Sequence, residues 1–158
     1  MSDLTIWIDA DAAPREVKEI VFRAAQRLSL AAVLVANKDL ALPRGNPWVR
    51  AVRVRGGLDV ADAYIAEQAQ RGDVAVTADV PLAAKLVSRG VAVLDPRGME
   101  YTEDNVGDRL SMRDLMDHLR TTGLVTGGPQ AFDAKARRAF AAALDRVLTR
   151  ARRAPPGP

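Results

Sequence analysis

The feature that most constrains this chain is an alternation of short apolar runs with longer stretches of helical periodicity. The short runs are Leu4–Ile8, Ala31–Ala36, Val49–Val54, Asp73–Thr77 and Val91–Leu94. Their length and the turn-forming residues around them predict five strands. Pro14 opens a stretch in which Val17, Ile20, Val21, Ala24, Ala25 and Leu28 recur at helical spacing, which predicts a helix ending near Leu28. Further helices are predicted over 60–70, 80–89, 111–121 and 132–150. Val49, Val52 and Val54 alternate with Arg50, Arg53 and Arg55, the pattern of a sheet edge. Parallel strands need crossover connections, and helices supply them here. The expected fold is one Rossmann-like α/β domain of three layers. Its five-stranded, mostly parallel sheet has the order 3-2-1-4-5, with additional C-terminal helices. Residues 1–150 form the domain, and 151–158, ending in Ala154-Pro155-Pro156-Gly157-Pro158, form a flexible tail.

A chain of 158 residues can bury a core without a staple, and this one has no cysteine. Thiol nucleophiles, thiolate zinc sites and disulfide frameworks are thereby excluded. The single histidine, His118, excludes a multi-histidine metal site. Carboxylates, hydroxyls and basic groups remain for chemistry. No apolar run approaches the roughly 20 residues that span a bilayer. Met1-Ser2-Asp3 lacks the positive start of a secretory signal, so a cytoplasmic protein without a membrane partner is expected. The net charge of +3 is uneven: 129–158 carry seven basic and two acidic residues, the rest 16 and 18. A basic C-terminal segment fits a polyanionic partner, and nucleic acid is the one expected. The oligomeric state is left open.

Ligands of open parallel sheets bind beyond the carboxyl ends of the strands, at the point where strand order reverses. Strand one ends in Asp9-Ala10-Asp11 and strand four in Thr77-Ala78-Asp79. Asp59 and Asp62 open the helix after strand three, three residues apart and on one face. Asp11, Asp59 and Asp79 each also precede a helix, where an aspartate caps orphan N–H groups for about 1 kcal/mol. Asp62 would also be favoured at a positive helix end. Asp9 has no such duty. Carboxylates gathered at one edge repel unless a cation lies among them, and an oxygen-only set suits Mg²⁺ or Mn²⁺. Asp9, Asp11, Asp59, Asp62 and Asp79 are the candidate metal ligands.

Several strings carry a family resemblance. They include Ile6-Trp7-Ile8-Asp9-Ala10-Asp11-Ala12-Ala13-Pro14, Gly57-Leu58-Asp59-Val60-Ala61-Asp62 and Val76-Thr77-Ala78-Asp79-Val80-Pro81. Asp95-Pro96-Arg97-Gly98, Tyr101-Thr102, Arg109-Leu110-Ser111-Met112-Arg113-Asp114 and Thr126-Gly127-Gly128-Pro129 add to them. With these, residues 4–148 resemble the YaiI/YqxD family of uncharacterised bacterial proteins. That family typically has cysteine where this chain has Ala13, so a thiol there is dispensable. Its fold is regarded as similar to PIN domains, which are metal-dependent nucleases. The resemblance implies that Asp9 takes the place of the strand-one acid, and Asp59 or Asp62 that of the helix acid. Thr77 and Asp79 then match the Thr-x-Asp pair of strand four.

The expected activity is therefore phosphodiester hydrolysis of RNA or DNA. Its catalytic residues would be Asp9, Asp62, Asp79 and Thr77, with Mg²⁺ or Mn²⁺ as cofactor. Arg15, Lys18 and Arg97 lie near the predicted edge as candidate phosphate contacts. One alternative is a nucleic-acid-binding module without turnover, using Arg50, Arg53 and Arg55 and the C-terminal arginines. Another is a haloacid-dehalogenase-like phosphatase with Asp9 as nucleophile and Asp11 as acid/base. That chemistry needs a lysine and a late acidic pair, for which only Lys85 and Asp95 are at hand.

Overall fold

A computed structural model describes residues 4–57, 59–124 and 131–153. In chain order the elements are β1 (Thr5–Asp9), α1 (Arg15–Leu28), β2 (Ala31–Ala36), β3 (Val49–Arg53), α2 (Val60–Gln68) and β4 (Val74–Val76). There follow α3 (Val80–Ser88), β5 (Ala92–Leu94), β6 (Glu100–Tyr101), α4 (Glu103–Thr121) and α5 (Ala134–Arg153). The sheet has the order β3-β2-β1-β4-β5-β6. Every pair is parallel except β5–β6. The expected order 3-2-1-4-5 is present, with β3 at one edge.

Period-two alternation splits the core between the two faces of the sheet. On β1, Ile6 and Ile8 join Val17 and Val21 of α1 and Phe140 and Leu144 of α5. Trp7 points the other way, into a cluster with Ile65 of α2 and Leu82 and Leu86 of α3. Its indole meets the Tyr64 ring edge-on at 6.4 Å. β1 and β2 are covered on both faces, which explains their unbroken apolar runs. At the amino end of the strands, buried Asp73 collects three donors. They are Thr5 N (3.0 Å), Gln70 N (2.9 Å) and Trp7 Nε1 (2.9 Å).

Three boundaries differ from the sequence reading. The sheet gains a sixth strand, because Gly98 at φ +93° turns the chain back so that Met99 O accepts from Asp95 N at 2.9 Å. Two residues carry no periodicity by which such a strand could be read. The helix expected from Ser111 begins at Glu103. A reciprocal cap starts it, with Asn105 N donating to Thr102 Oγ1 (3.2 Å) and Thr102 N to Asn105 Oδ1 (2.9 Å). The last helix opens two residues later than expected, after Asp133 Oδ1 accepts from Ala136 N at 2.8 Å. It continues to Arg153, so residues 151–153 of the expected tail are its final turn. The expected turn at Thr126-Gly127-Gly128-Pro129 and the end at 154–158 lie outside the described residues. Among the described residues, no helix is long and apolar enough to cross a membrane.

Candidate carboxylate centre at the carboxyl edge of the sheet

β1 and β4 are neighbours in register, Ile8 opposite Val76, so the residues that follow, Asp9 and Thr77, sit side by side at the carboxyl edge. The chain leaves β1 toward α1 on one face and β4 toward α3 on the other, the crevice where ligands of such sheets bind. Both residues are buried, Asp9 at 9% exposure and Thr77 at 2%. Thr77 Oγ1 donates to Asp9 Oδ2 at 3.1 Å and accepts from Asp79 N at 3.0 Å. A hydroxyl has one proton and two lone pairs, so this pairing fixes its orientation. Asp79 Oδ1 in turn accepts from Leu82 N at 2.8 Å and caps α3, with Pro81 in the first turn.

Asp62 comes from the first turn of α2, and its carboxyl lies near enough to those of Asp79 and Asp9 for each to bear on its protonation. Burial raises its pKa most, then the hydrogen bond to Asp79, then the charges of Asp79, Asp9 and Asp59; together they push it up to about 7. Burial also raises the pKa of Asp9, against the hydrogen bond from Thr77. The charges of Asp79 and Asp11 raise it further, and a hydrogen bond from Asp62 opposes them. Asp62 therefore holds its proton up to near neutral pH.

Asp9, Asp62, Asp79 and Thr77 are thus brought together. Asp11 and Asp59 flank them. Asp11 is exposed, and its Oδ2 accepts from Asn37 N at 2.8 Å, tying the loop after β1 to the end of β2. Asp59 stands at the N-cap position of α2, exposed, with no capping hydrogen bond from its side chain. Arg15 is turned to solvent and pairs with Glu19 at 3.5 Å, and Lys18 is half-buried one helical turn on. Arg97 Nη2 holds the Ala131 carbonyl at 3.3 Å, ahead of α5.

The donor chemistry suits a hard cation: three carboxylates and a hydroxyl, with no nitrogen or sulfur. A further oxygen near the end of β2, Asn37 Oδ1, is buried without a hydrogen-bond partner among the described residues. The arrangement is less favourable. Among the described residues, no three His, Cys, Asp or Glu side chains form a group that could hold a metal ion as they stand. Asp11 and Asp79 each commit an oxygen to a backbone N–H, and Asp62 holds a proton up to near neutral pH.

One neighbouring cluster escaped the sequence reading. Asp95 Oδ1 accepts from Arg97 N (2.9 Å) and Met99 N (3.0 Å), and Oδ2 from Arg109 Nη2 (3.3 Å). The Arg109 guanidinium lies 4.1 Å over the ring of buried Tyr101. Burial pushes the Tyr101 hydroxyl's pKa up, opposed by Arg109 and reinforced by Asp95 and Asp79. Asp79 thus lies within electrostatic reach of this cluster.

Comparison with known proteins gives a consistent answer. The family model described as "Uncharacterized BCR, YaiI/YqxD family" matches residues 7–150. A "UPF0178 protein" of Trichlorobacter lovleyi is 59% identical over 147 residues, 93% of this chain and 95% of that one. The corresponding protein of Myxococcus xanthus is 56% identical over the same shares. That of Bordetella petrii is 52% identical over 149 residues, 94% of this chain and 99% of its own. No solved structure matches the chain.

Proposed function

For a chain that belongs to the YaiI/YqxD family, we propose metal-assisted hydrolysis of phosphodiesters in RNA or DNA at the Asp9–Asp62–Asp79 centre. The observation that carries the reading is the convergence of three carboxyls and a buried hydroxyl, from three segments of the chain, at the point where the strand order reverses. Asp9, Asp62 and Asp79 would hold Mg²⁺ or Mn²⁺. Such an ion supplies charge neutralisation at the phosphate and a bound water of lowered pKa.

The chain's own groups prepare that chemistry. The Thr77 hydroxyl, itself oriented by Asp79 N, holds Asp9 by one carboxylate oxygen. Asp79 is oriented by Leu82 N, which engages only Oδ1. Asp62, titrating near neutrality, gives up its proton when a positive charge enters and can carry one when that charge leaves. Burial of Asp9 and Thr77 strengthens these electrostatic effects.

The test is cleavage of labelled single-stranded RNA and DNA in millimolar Mn²⁺. Asp9→Asn should abolish it while leaving a folded protein, because the amide keeps the shape and the bond to Thr77 but loses the charge. Cleavage at the wild-type rate by that variant refutes the mechanism.

A second reading, binding without turnover, draws support from the basic charge of α5. Binding to nucleic acid with no cleavage in either metal would select it. The phosphatase reading finds less: Lys85 stands in the last turn of α3 and the Asp95 carboxylate is held by Arg109.

A further inference from the structure

The two helical layers carry opposite charge. α1 has four basic and two acidic residues and α5 seven and one, a surplus of eight positive charges on one face of the sheet. The whole chain has only +3, so everything else sums to −5. The layer of α2, α3 and α4 is itself acidic, with seven acidic residues against four basic ones.

Between α1 and α5 runs a groove of two adjoining hollows, about 230 and 170 Å³. Its floor is apolar, from Ile20, Ala141 and Leu144. Its walls present the guanidiniums of Arg23, Arg137 and Arg138. None of these three side chains forms an ion pair with a described residue, unlike Arg27, which is held by Asp145 at 3.0 Å farther along the groove. Glu16 and Glu19 line the same hollow as the three arginines, and Glu19 is paired with Arg15. Three unpaired guanidiniums against the one carboxylate of Glu16 leave the hollow a positive surplus, which an anion lying along the groove offsets.

We propose that the α1–α5 groove is a docking track for the phosphodiester backbone of nucleic acid, gripped by Arg23, Arg137 and Arg138. It rests on the reading of the carboxylate centre as a site for nucleic acid, and adds the surface that delivers the chain to it. Guanidiniums match phosphate oxygens with paired donors, and the apolar floor accepts sugar faces without demanding a particular base. The groove also leads to the right place. α1 starts at the carboxyl edge, and Arg97, in the loop that closes β5 at that edge, holds Ala131 just before α5. An anionic membrane fits less well, because none of the large exposed apolar side chains lies on α1 or α5. Backbone contacts of this kind predict weak sequence preference and strong salt dependence.

The experiment measures binding of labelled oligouridylate and oligodeoxythymidylate, about 20 nucleotides each, by fluorescence anisotropy in EDTA across a salt series. The full-length protein is compared with the triple variant Arg23→Ala, Arg137→Ala, Arg138→Ala. A control, Arg71→Ala, Arg89→Ala, Arg120→Ala, removes the same charge from the layer of α2, α3 and α4. The groove variant should bind both oligonucleotides at least about tenfold more weakly, and its log–log salt slope should flatten by about 2. The control should stay within about threefold of wild type. Circular dichroism melts establish that both variants are folded, and Arg137→Lys with Arg138→Lys should restore part of the affinity by keeping charge. Equal losses in groove and control variants overturn the proposal. So does tighter binding of anionic vesicles or polyglutamate than of either oligonucleotide, or no oligonucleotide binding by wild type. Groove-dependent binding without cleavage in Mn²⁺ leaves the track standing and refutes only the hydrolytic reading.

Discussion

Replacing Asp62 by asparagine tests the carboxylate centre without knowledge of a substrate. In the folded chain the Asp62 carboxyl titrates near 7, against 3.8 for the free side chain. Between those values the folded state holds a proton that the unfolded chain has released. Raising the pH across this window therefore lowers stability, and above about 7 the penalty is constant. At full strength the displacement corresponds to about 4 kcal/mol. Asp62 is only partly buried, and solvent screening brings the expected penalty down to about 1–2 kcal/mol. A negative charge in the first turn of α2 returns about 0.5 kcal/mol through the helix dipole, which the substitution forfeits. The net expectation at pH 8 is that Asp62→Asn stabilises the metal-free protein by about 1 kcal/mol, or about 2–4 °C in Tm. At pH 5 only about the first third of that window has been crossed, so the gain should shrink to about 1 °C. Thermal melts in EDTA at the two pH values read this directly. A variant that melts no higher than wild type at pH 8, or that gains equally at both pH values, refutes the raised pKa of Asp62.

Two further substitutions test the frame around the site. Asp73→Ala removes the acceptor for Thr5 N, Gln70 N and Trp7 Nε1, leaving a buried indole N–H unpaired. Urea unfolding should show a loss of about 2–4 kcal/mol. Gly98→Ala would place a methyl 2.6 Å from the Ala139 carbonyl oxygen at a φ of +93°. Backbone strain and overpacking should together cost at least about 2 kcal/mol by the same measurement.

Much of the centre was legible because its residues lie where local rules converge. Asp9 closes an apolar run, Thr77-Ala78-Asp79 does the same three strands later, and strand order follows from the crossovers. Asp62 was one of a pair with Asp59, and sequence spacing could not separate them. Only the packing of α2 against the sheet puts Asp62 between Asp9 and Asp79 and leaves Asp59 outside. The Asp95–Arg109–Tyr101 cluster was illegible for a different reason: its members are 14 and 8 residues apart and meet only when α4 packs on α3 and β6 turns back. The early start of α4 was hidden because Gly107 interrupts the apolar pattern and the cap uses Asn105 where Glu or Gln is the usual signal. The division of charge between layers was only half visible. The basic C-terminal segment could be read directly, but its alignment beside α1 could not.

The two ends of β1 are loaded in opposite ways. At its start, one carboxylate is saturated: Asp73 takes two backbone donors and an indole, and the strand is pinned there. At its finish, carboxyls outnumber donors, and burial and neighbouring charge raise the pKa of both Asp9 and Asp62. Thr5 to Asp9 spans five residues, roughly 13 Å of extended chain from first Cα to last. The anchor and the crowded carboxyls are therefore insulated from each other along a single strand. An acid at the crowded end can be exchanged while the opposite end keeps the strand in register.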